Sequence, residues 1–263
     1  MLSSNLQNNH NHSAENGNVL FLIFIAVILF GALSFAVSDM MRGASPERLQ
    51  EEKASLFADS ILGYGRILRT AIKDMRINGC APLEISFENQ VTANNENELL
   101  DVDYTHEPPA DEKCKVFSPQ GGGVNYSPPD PEWLSDIDGF DPNYGQWYFP
   151  ADVCIPGIGT SPEEDCDGDG EDNEDIVLIL PYISPAVCKL IQARMEVDEE
   201  GESEIPQEEG NAWTSERLPF IGAQEDGEAL DQDYQQVGCF EGANATSFPP
   251  AGTYHFFQVL LAR

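Results

Sequence analysis

Positive charge is scarce in this chain of 263 residues. Only 13 Lys and Arg stand against 46 Asp and Glu, for a formal net charge of −33. The shortage is local. Residues 1–77 carry seven acidic and seven basic residues, whereas residues 78–263 carry 39 acidic and six basic ones, and so the whole of the −33. A body this anionic repels phosphate backbones, which excludes nucleic acid as its partner, and it repels anionic lipid headgroups while favouring divalent cations. Cysteine is missing from the first 79 residues, and charge of either sign is missing from Asn16 to Ser38. Histidine is nearly missing from the body, where only His106 and His255 occur. The hydrophobic content of 41% is still enough for a folded core, so wholesale disorder is excluded.

Recognisable catalytic patterns are missing too. There is no Gly-x-Ser-x-Gly, no His-Glu-x-x-His and no glycine-rich loop opening a helix. Gly121-Gly122-Gly123 runs instead into Val-Asn-Tyr-Ser-Pro-Pro, a turn-rich stretch. A glycosidase pair of carboxylates cannot be singled out among 39 acids. No set of catalytic roles assembles, and an enzyme is not expected.

What is present begins with one apolar run. A polar leader, residues 1–17, precedes a stretch from Val19 to Val37 of 19 residues, about 28 Å of helix and close to the hydrocarbon thickness of a bilayer. Residues 18–44 therefore read as an apolar transmembrane or assembly helix, with Val19, Leu20, Phe21, Leu22, Phe24, Ile25, Ile28, Leu29 and Phe30 on its surface. A cleaved secretory signal is the alternative. The leader has no positive charge, the run is longer than a usual signal core, and only Phe35-Ala36-Val37-Ser38 resembles a cleavage site, so a retained helix is favoured. Arg42, Arg48 and Lys53 follow the helix, and the positive-inside rule would hold that side in the cytosol. Long domains translocate regardless of flanking charge, and the acidic, cysteine-bearing body points outside.

Residues 45–78 read as an amphipathic helix. Ser45-Pro46-Glu47 supplies a cap, a proline in the first turn and an acid at the positive end of the helix dipole. Leu49, Leu56, Phe57, Ile61, Tyr64, Leu68, Ile72 and Met75 form an apolar stripe, and Asn78-Gly79 stops the helix. The stripe is expected to pack on the body at its C-terminal half, while Arg48, Glu51, Glu52 and Lys53 project.

Residues 79–263 form the acidic domain. Leu83–Phe87, Gln146–Phe149, Ile176–Ile179 and Thr253–Leu261 read as strands of an antiparallel sheet, and Ser184-Pro185 opens a helix with Val187, Leu190, Ile191 and Met195 on its apolar face. Long loops are expected over 88–132, 150–175 and 197–252. The fold class is therefore α+β: a long N-terminal helical arm and a loop-rich domain. All six cysteines lie in that domain. Of fifteen connectivities, sequential pairing (Cys80 with Cys114, Cys154 with Cys166, Cys188 with Cys239) closes one loop per bond. A zinc site is the weaker rival, because no Cys-x-x-Cys occurs and only His106 and His255 are at hand.

One stretch has metal-ligand spacing. Asp165, Asp167 and Asp169 occupy positions 1, 3 and 5 of a calcium loop, with Gly170 at position 6 for the sharp turn. Position 12 is Ile176 rather than Glu, so Glu171, Asp172, Asn173 or Asp175 must complete the oxygen shell. Calcium is the expected cofactor; the alternative is an ordinary acidic surface loop. Asn244-Ala245-Thr246 is a formal glycosylation sequon.

A short polar leader ending in Gly17, an apolar helix from Asn18, an amphipathic continuation and a cysteine-bearing C-terminal domain together resemble the type IV pilin and pseudopilin family, most closely in GNVLFLIFIAVILFGALSFAV. The resemblance covers residues 17–77 well and the body only in layout. It implies cleavage by a prepilin peptidase between Gly17 and Asn18. It also implies residence in the inner membrane before assembly, handling by pilus assembly machinery, and polymerisation with copies of itself into an extracellular filament whose core is the apolar helices. The chain departs from the family at the fifth mature position, where Leu22 stands in place of the usual Glu. Ala26, Gly31, Ala32, Ser34 and Ala36 permit close helix approach.

Overall fold

The computed structural model describes residues 19–42, 46–89, 103–136, 144–151, 153–159, 175–195, 205–208, 219–222, 228–230, 235–243 and 249–262. The chain divides into two compact units after Gln50. In the first, helix α1 runs from Val19 to Arg42, as the uncharged apolar run requires. Helix α2, Pro46–Ile77, begins at the first-turn proline. From Glu51 onward it belongs to the second unit, an α+β body.

Helix α2 ends through a left-handed cap. Gly79 has φ 94°, where a side chain would be strained. The Cys80 N–H donates to the Met75 carbonyl (3.1 Å) and the Gly79 N–H to that of Arg76 (3.1 Å), the paired bonds of a Schellman motif. The cap delivers Cys80 directly into a disulfide with Cys114, Cα–Cα 5.7 Å.

The buried seam of α2 is Ala54, Ala58, Ile61, Gly65, Leu68, Ile72 and Met75, in alternating steps of four and three. The large-residue stripe is accurate only in part. Phe57 and Tyr64 are half-buried, and Leu49 and Leu56 face solvent at 51% and 64% exposure. The small residues do the seating: a methyl at Gly65 would collide with the Gln258 carboxamide, so the backbone itself lies against the sheet. Gly63, two residues earlier, meets nothing within 4 Å.

The main sheet has strand order β2, β6, β5, β3, with β2 Ile176–Leu180, β3 Gln207–Glu208, β5 Val237–Gly242 and β6 Tyr254–Leu261. Strands β2, β6 and β5 are antiparallel. The expectation of a wholly antiparallel sheet is corrected at one edge, where β3 pairs parallel with β5 (Gln207 with Glu241). A second, two-stranded parallel pair joins β1 Val153–Cys154 to β4 Glu228–Ala229. The uninterrupted apolar run of β2 is explained by burial on both faces. Ile176, Leu178 and Leu180 join the core with α2, and Val177 and Ile179 join Tyr148, Val153, Ile155 and Leu230 on the other side.

Three further expectations are corrected. Leu83–Phe87 is not a strand. Pro82–Glu84 is a 3-10 turn, with the Glu84 carboxylate accepting the Ala81 N–H at 2.7 Å, and only Ser86 bridges, to Lys115. Gln146–Phe149 contributes one bridge, Tyr148 with Ile179, made by reciprocal backbone bonds of 2.9 and 2.8 Å. The stretch 197–252 is not uniformly loop, because it contains the interior strand β5.

Helix α3, Pro185–Met195, follows the Ser184 cap and buries Val187, Cys188, Ile191 and Gln192. It is tied to β5 by the Cys188–Cys239 disulfide (Cα–Cα 5.5 Å) and by the Cys239 N–H donating to Gln192 Oε1 at 3.2 Å. It is tied to α2 by Arg194, whose guanidinium forks onto Asp59 (2.6 and 3.3 Å) and donates to Ser55 Oγ at 2.8 Å. Among the described residues from Tyr104 to Phe149, aromatic packing joins short 3-10 turns at Glu112–Cys114 and Pro131–Trp133. Phe87 stacks on Phe149 (centroids 3.9 Å), Tyr64 stacks on Trp147 (4.8 Å), and the Tyr104 hydroxyl accepts the Phe149 N–H at 3.1 Å.

Two predictions follow from this packing, both read as folding stability. Gly63→Ala is expected to stabilise by about 0.5–1 kcal/mol through helix propensity, and Gly65→Ala to gain less than that or to lose stability, because the Gln258 carboxamide must move aside for the methyl. Urea melts in which Gly65→Ala stabilises as much as Gly63→Ala would refute the seam.

The second prediction concerns His255, fully buried, with its pKa pushed down to about 3 by burial. Its Nδ1 accepts the Tyr182 N–H (3.4 Å), which leaves the proton on Nε2, 2.6 Å from Thr253 Oγ1. The unfolded chain binds this proton below about 6.5 and the fold does not, so His255 favours folding fully above that pH and progressively less down to about 3. Stability should fall by up to about 1.4 kcal/mol per pH unit in this window from His255 alone. His255→Gln should flatten the slope measured between pH 6.5 and 4.5, and an unaltered slope would reassign it.

Candidate functional site

The surface that most needs an explanation is α1. Val19–Val37 has a mean hydropathy of 2.9 and none of it is buried within the fold. Leu20, Phe24, Leu29 and Phe30 are each exposed beyond 60%, and Val19, Phe21, Leu22, Ile25 and Ile28 also face outward. Exposure runs around the whole circumference, so there is no polar face to turn toward water. The helix is long and apolar enough to cross a membrane, which is compatible with an anchor or with a signal sequence. The expected cleavage pair, Gly17 and Asn18, lies outside the described residues.

Of the candidate calcium ligands, Asp165, Asp167, Asp169, Glu171 and Asn173 lie outside the described residues, as does Asp172. Asp175 is described and is 1% exposed. Its N–H donates to the Val153 carbonyl (3.0 Å) and its Oδ2 accepts the Ile155 N–H (3.2 Å), so it fastens the entry of β2 to β1. Among the described residues no three His, Cys, Asp or Glu side chains converge as a metal site. Cysteine pairing follows the sequential order at Cys80–Cys114 and Cys188–Cys239. Cys154 is also disulfide-bonded, and its expected partner Cys166 lies outside the described residues.

Sequence reasoning gave His106 no role beyond the zinc alternative. The structure places it, 5% exposed, in a cleft of about 290 Å³ beside the Cys80–Cys114 bond. Leu83, Pro108, Pro109 and Ile221 give the cleft apolar walls, and Glu84, Glu107, Asp111 and Lys113 give it charge. The ring packs edge-on to Phe220 (centroids 6.2 Å). Burial, reinforced by Lys115 and opposed by Glu88, holds its pKa below the ordinary histidine value. Gly222, at φ 88°, brings its backbone against the imidazole, and a methyl there would lie 2.7 Å from Nδ1. The sequence signal for this cleft is faint: one histidine ahead of Glu-Pro-Pro, with its opposite wall more than a hundred residues away.

Part of the acid on the described surface is engaged by nearby lysines. Lys115 pairs with Glu112 (2.7 Å) and Glu88 (3.0 Å), and Lys113 with Asp111 (3.4 Å). The Lys113 N–H holds the Asp111 carboxyl below its usual range, and the Lys115 ammonium does the same for Glu112. No family model matches this chain, and no curated protein or solved structure matches it.

Proposed function

We propose that this chain is a structural subunit of an extracellular type IV pilus-like filament, polymerising through its N-terminal apolar helix and displaying its acidic domain outside. The observation that carries this reading is α1: a helix of 24 residues whose apolar stretch is exposed on every side. Such a surface needs lipid or other helices, and a filament subunit uses both in turn. The small residues Ala26, Gly31, Ala32 and Ala36 suit close helix packing. The disulfides of a loop-rich domain suit life outside the cell, where they persist. On this reading the long helical arm is made of α1 and α2, and the partners are copies of the chain, the prepilin peptidase and the assembly machinery.

Leu22 favours a second reading. It stands where the resembled family carries the acid thought to help register subunits, and a monomeric membrane-anchored binding or adhesion module has no need of that acid. In that reading calcium, held by the stretch Asp165–Asp175, shapes a recognition loop.

Two measurements separate these. Sheared surface material from expressing cells, viewed by electron microscopy with antibody against the acidic domain, should show labelled filaments, and mass spectrometry should place the mature N-terminus at Asn18. Absence of labelled filaments together with a start at Met1 would sink the filament. For calcium, EGTA should lower the thermal midpoint of the detergent-solubilised chain by several degrees, since a bound ion stabilises by mass action. An unchanged midpoint with no calcium in elemental analysis would remove the ion.

A further inference from the structure

Basic residues are scarce in the second unit, and four of them stand together without a carboxylate. From Glu51 onward the chain carries 43 acidic and eleven basic residues. Lys53, Lys113, Lys115 and Arg194 each pair with an acid. Arg66, Arg69, Lys73 and Arg76 do not. They recur on α2 at steps of three, four and three, which sets them in one row along the helix. Arg69 donates to the Gln236 carboxamide and Arg76 to the Cys80 carbonyl, both neutral acceptors. Among the described residues none of the four has an ion pair. Between Gly63 and Ile77 the one acid is Asp74. Apolar surface lies uncovered beside the row: Ile67 is 55% exposed and Ile77 82%, and Gly63 meets nothing within 4 Å.

Like charges at helical spacing repel one another, and a facing carboxylate surface turns that repulsion into attraction. The row and its apolar margin therefore select an anionic partner. A nucleic acid or an anionic bilayer extends past the row and meets the acid of the rest of the body. A folded acidic domain can cover the row alone, and the body of this chain is such a domain. We propose that the outer face of α2, along Arg66, Ile67 and Lys73, docks the acidic domain of a second copy of this chain. The inference rests on the proposal that copies gather through α1, and it names how their bodies meet. It joins two different surfaces, so each docked pair keeps a free row on one copy and free carboxylates on the other, and the contact repeats from copy to copy.

The test uses the full chain in detergent micelles, as an equal mixture of unlabelled and heavy-isotope-labelled protein. A carbodiimide joins an ammonium to a carboxylate that it already touches, and mass spectrometry reads which label each half of a crosslinked peptide carries. Mixed-label crosslinks from Lys73 to acids beyond Asn78 are expected. They should exceed by roughly fivefold those from Lys189, an exposed lysine on α3 that also has no ion pair among the described residues. Arg66→Glu reverses a neighbouring charge at an exposed position and should lower the mixed-label yield at Lys73 by roughly fivefold. Lys189→Glu adds the same charge away from the row and should change that yield less than about twofold. Near-UV circular dichroism matching the parent establishes that both variants fold. Mixed-label crosslinks no more frequent at Lys73 than at Lys189, or an equal loss in the two variants, would overturn the docking face. Lys73 crosslinks that carry a single label only would overturn the second copy, by assigning the row to an acidic stretch of the same chain. The readout needs no polymer: filaments by electron microscopy without mixed-label crosslinks would remove this contact and leave the filament, whereas mixed-label crosslinks without filaments would keep the contact and remove the filament.

Discussion

The body depends on the seating of α2 against the sheet. Its seam uses Ala54, Ala58 and Gly65 where a larger residue would hold the helix away, and Gly65 places helix backbone against the Gln258 side chain on β6. From that approach the rest is placed in turn. Ile61, Leu68 and Ile72 reach the core that Leu178, Phe256 and Leu260 supply from the sheet. Arg194 reaches Asp59 and Ser55, which fixes α3, and α3 in turn carries Cys188 to Cys239 on β5. At its other end α2 hands the chain through Gly79 to Cys80 and so to Cys114. The Cys80–Cys114 and Cys188–Cys239 bonds thus each begin on or beside a helix that packing has already positioned. Such a bond mainly limits the unfolded chain, at about 2–4 kcal/mol each, and does not have to create the geometry it joins.

The opposite condition holds for α1. Fourteen large apolar side chains between Val19 and Val37 are exposed, each forgoing about 1.5–3 kcal/mol of burial, so tens of kcal/mol are at stake on one helix. A soluble monomer does not sustain such a surface. The two units therefore differ: one buries its apolar residues internally, whereas the other exposes them on a helix compatible with a membrane anchor or a signal sequence.

Legibility in the sequence followed the strength of local physics. The apolar run, the proline start at Pro46, the Asn78-Gly79 stop and the run Ile176–Ile179 are local signals of helix ends and burial, and each appears in the structure as an element or its boundary. Strand β5 escaped because Gly238 and Cys239 weaken its β character, and because its pairing to β6 is fixed by tertiary register. Leu83–Phe87 misled because alternation was read without the proline that starts a 3-10 turn. The α2 seam is only half legible, since small residues leave no hydrophobic signal although they decide the distance of approach. The His106 cleft was invisible for a related reason: it joins residues near 83, 106 and 222, and no spacing within the chain announces that meeting.

The uneven charge gains meaning from this division. Residues 1–50, with three acidic and two basic residues, can approach lipid or a second copy with little net repulsion, whereas the body carries nearly all of the −33. If bodies are arrayed side by side, that charge opposes the array, and the opposition is screened beyond about 8 Å at physiological ionic strength. The same field concentrates cations at the body surface. Charge that hinders the approach of like bodies disfavours anionic surfaces in general, and cations are the counterpart that eases it.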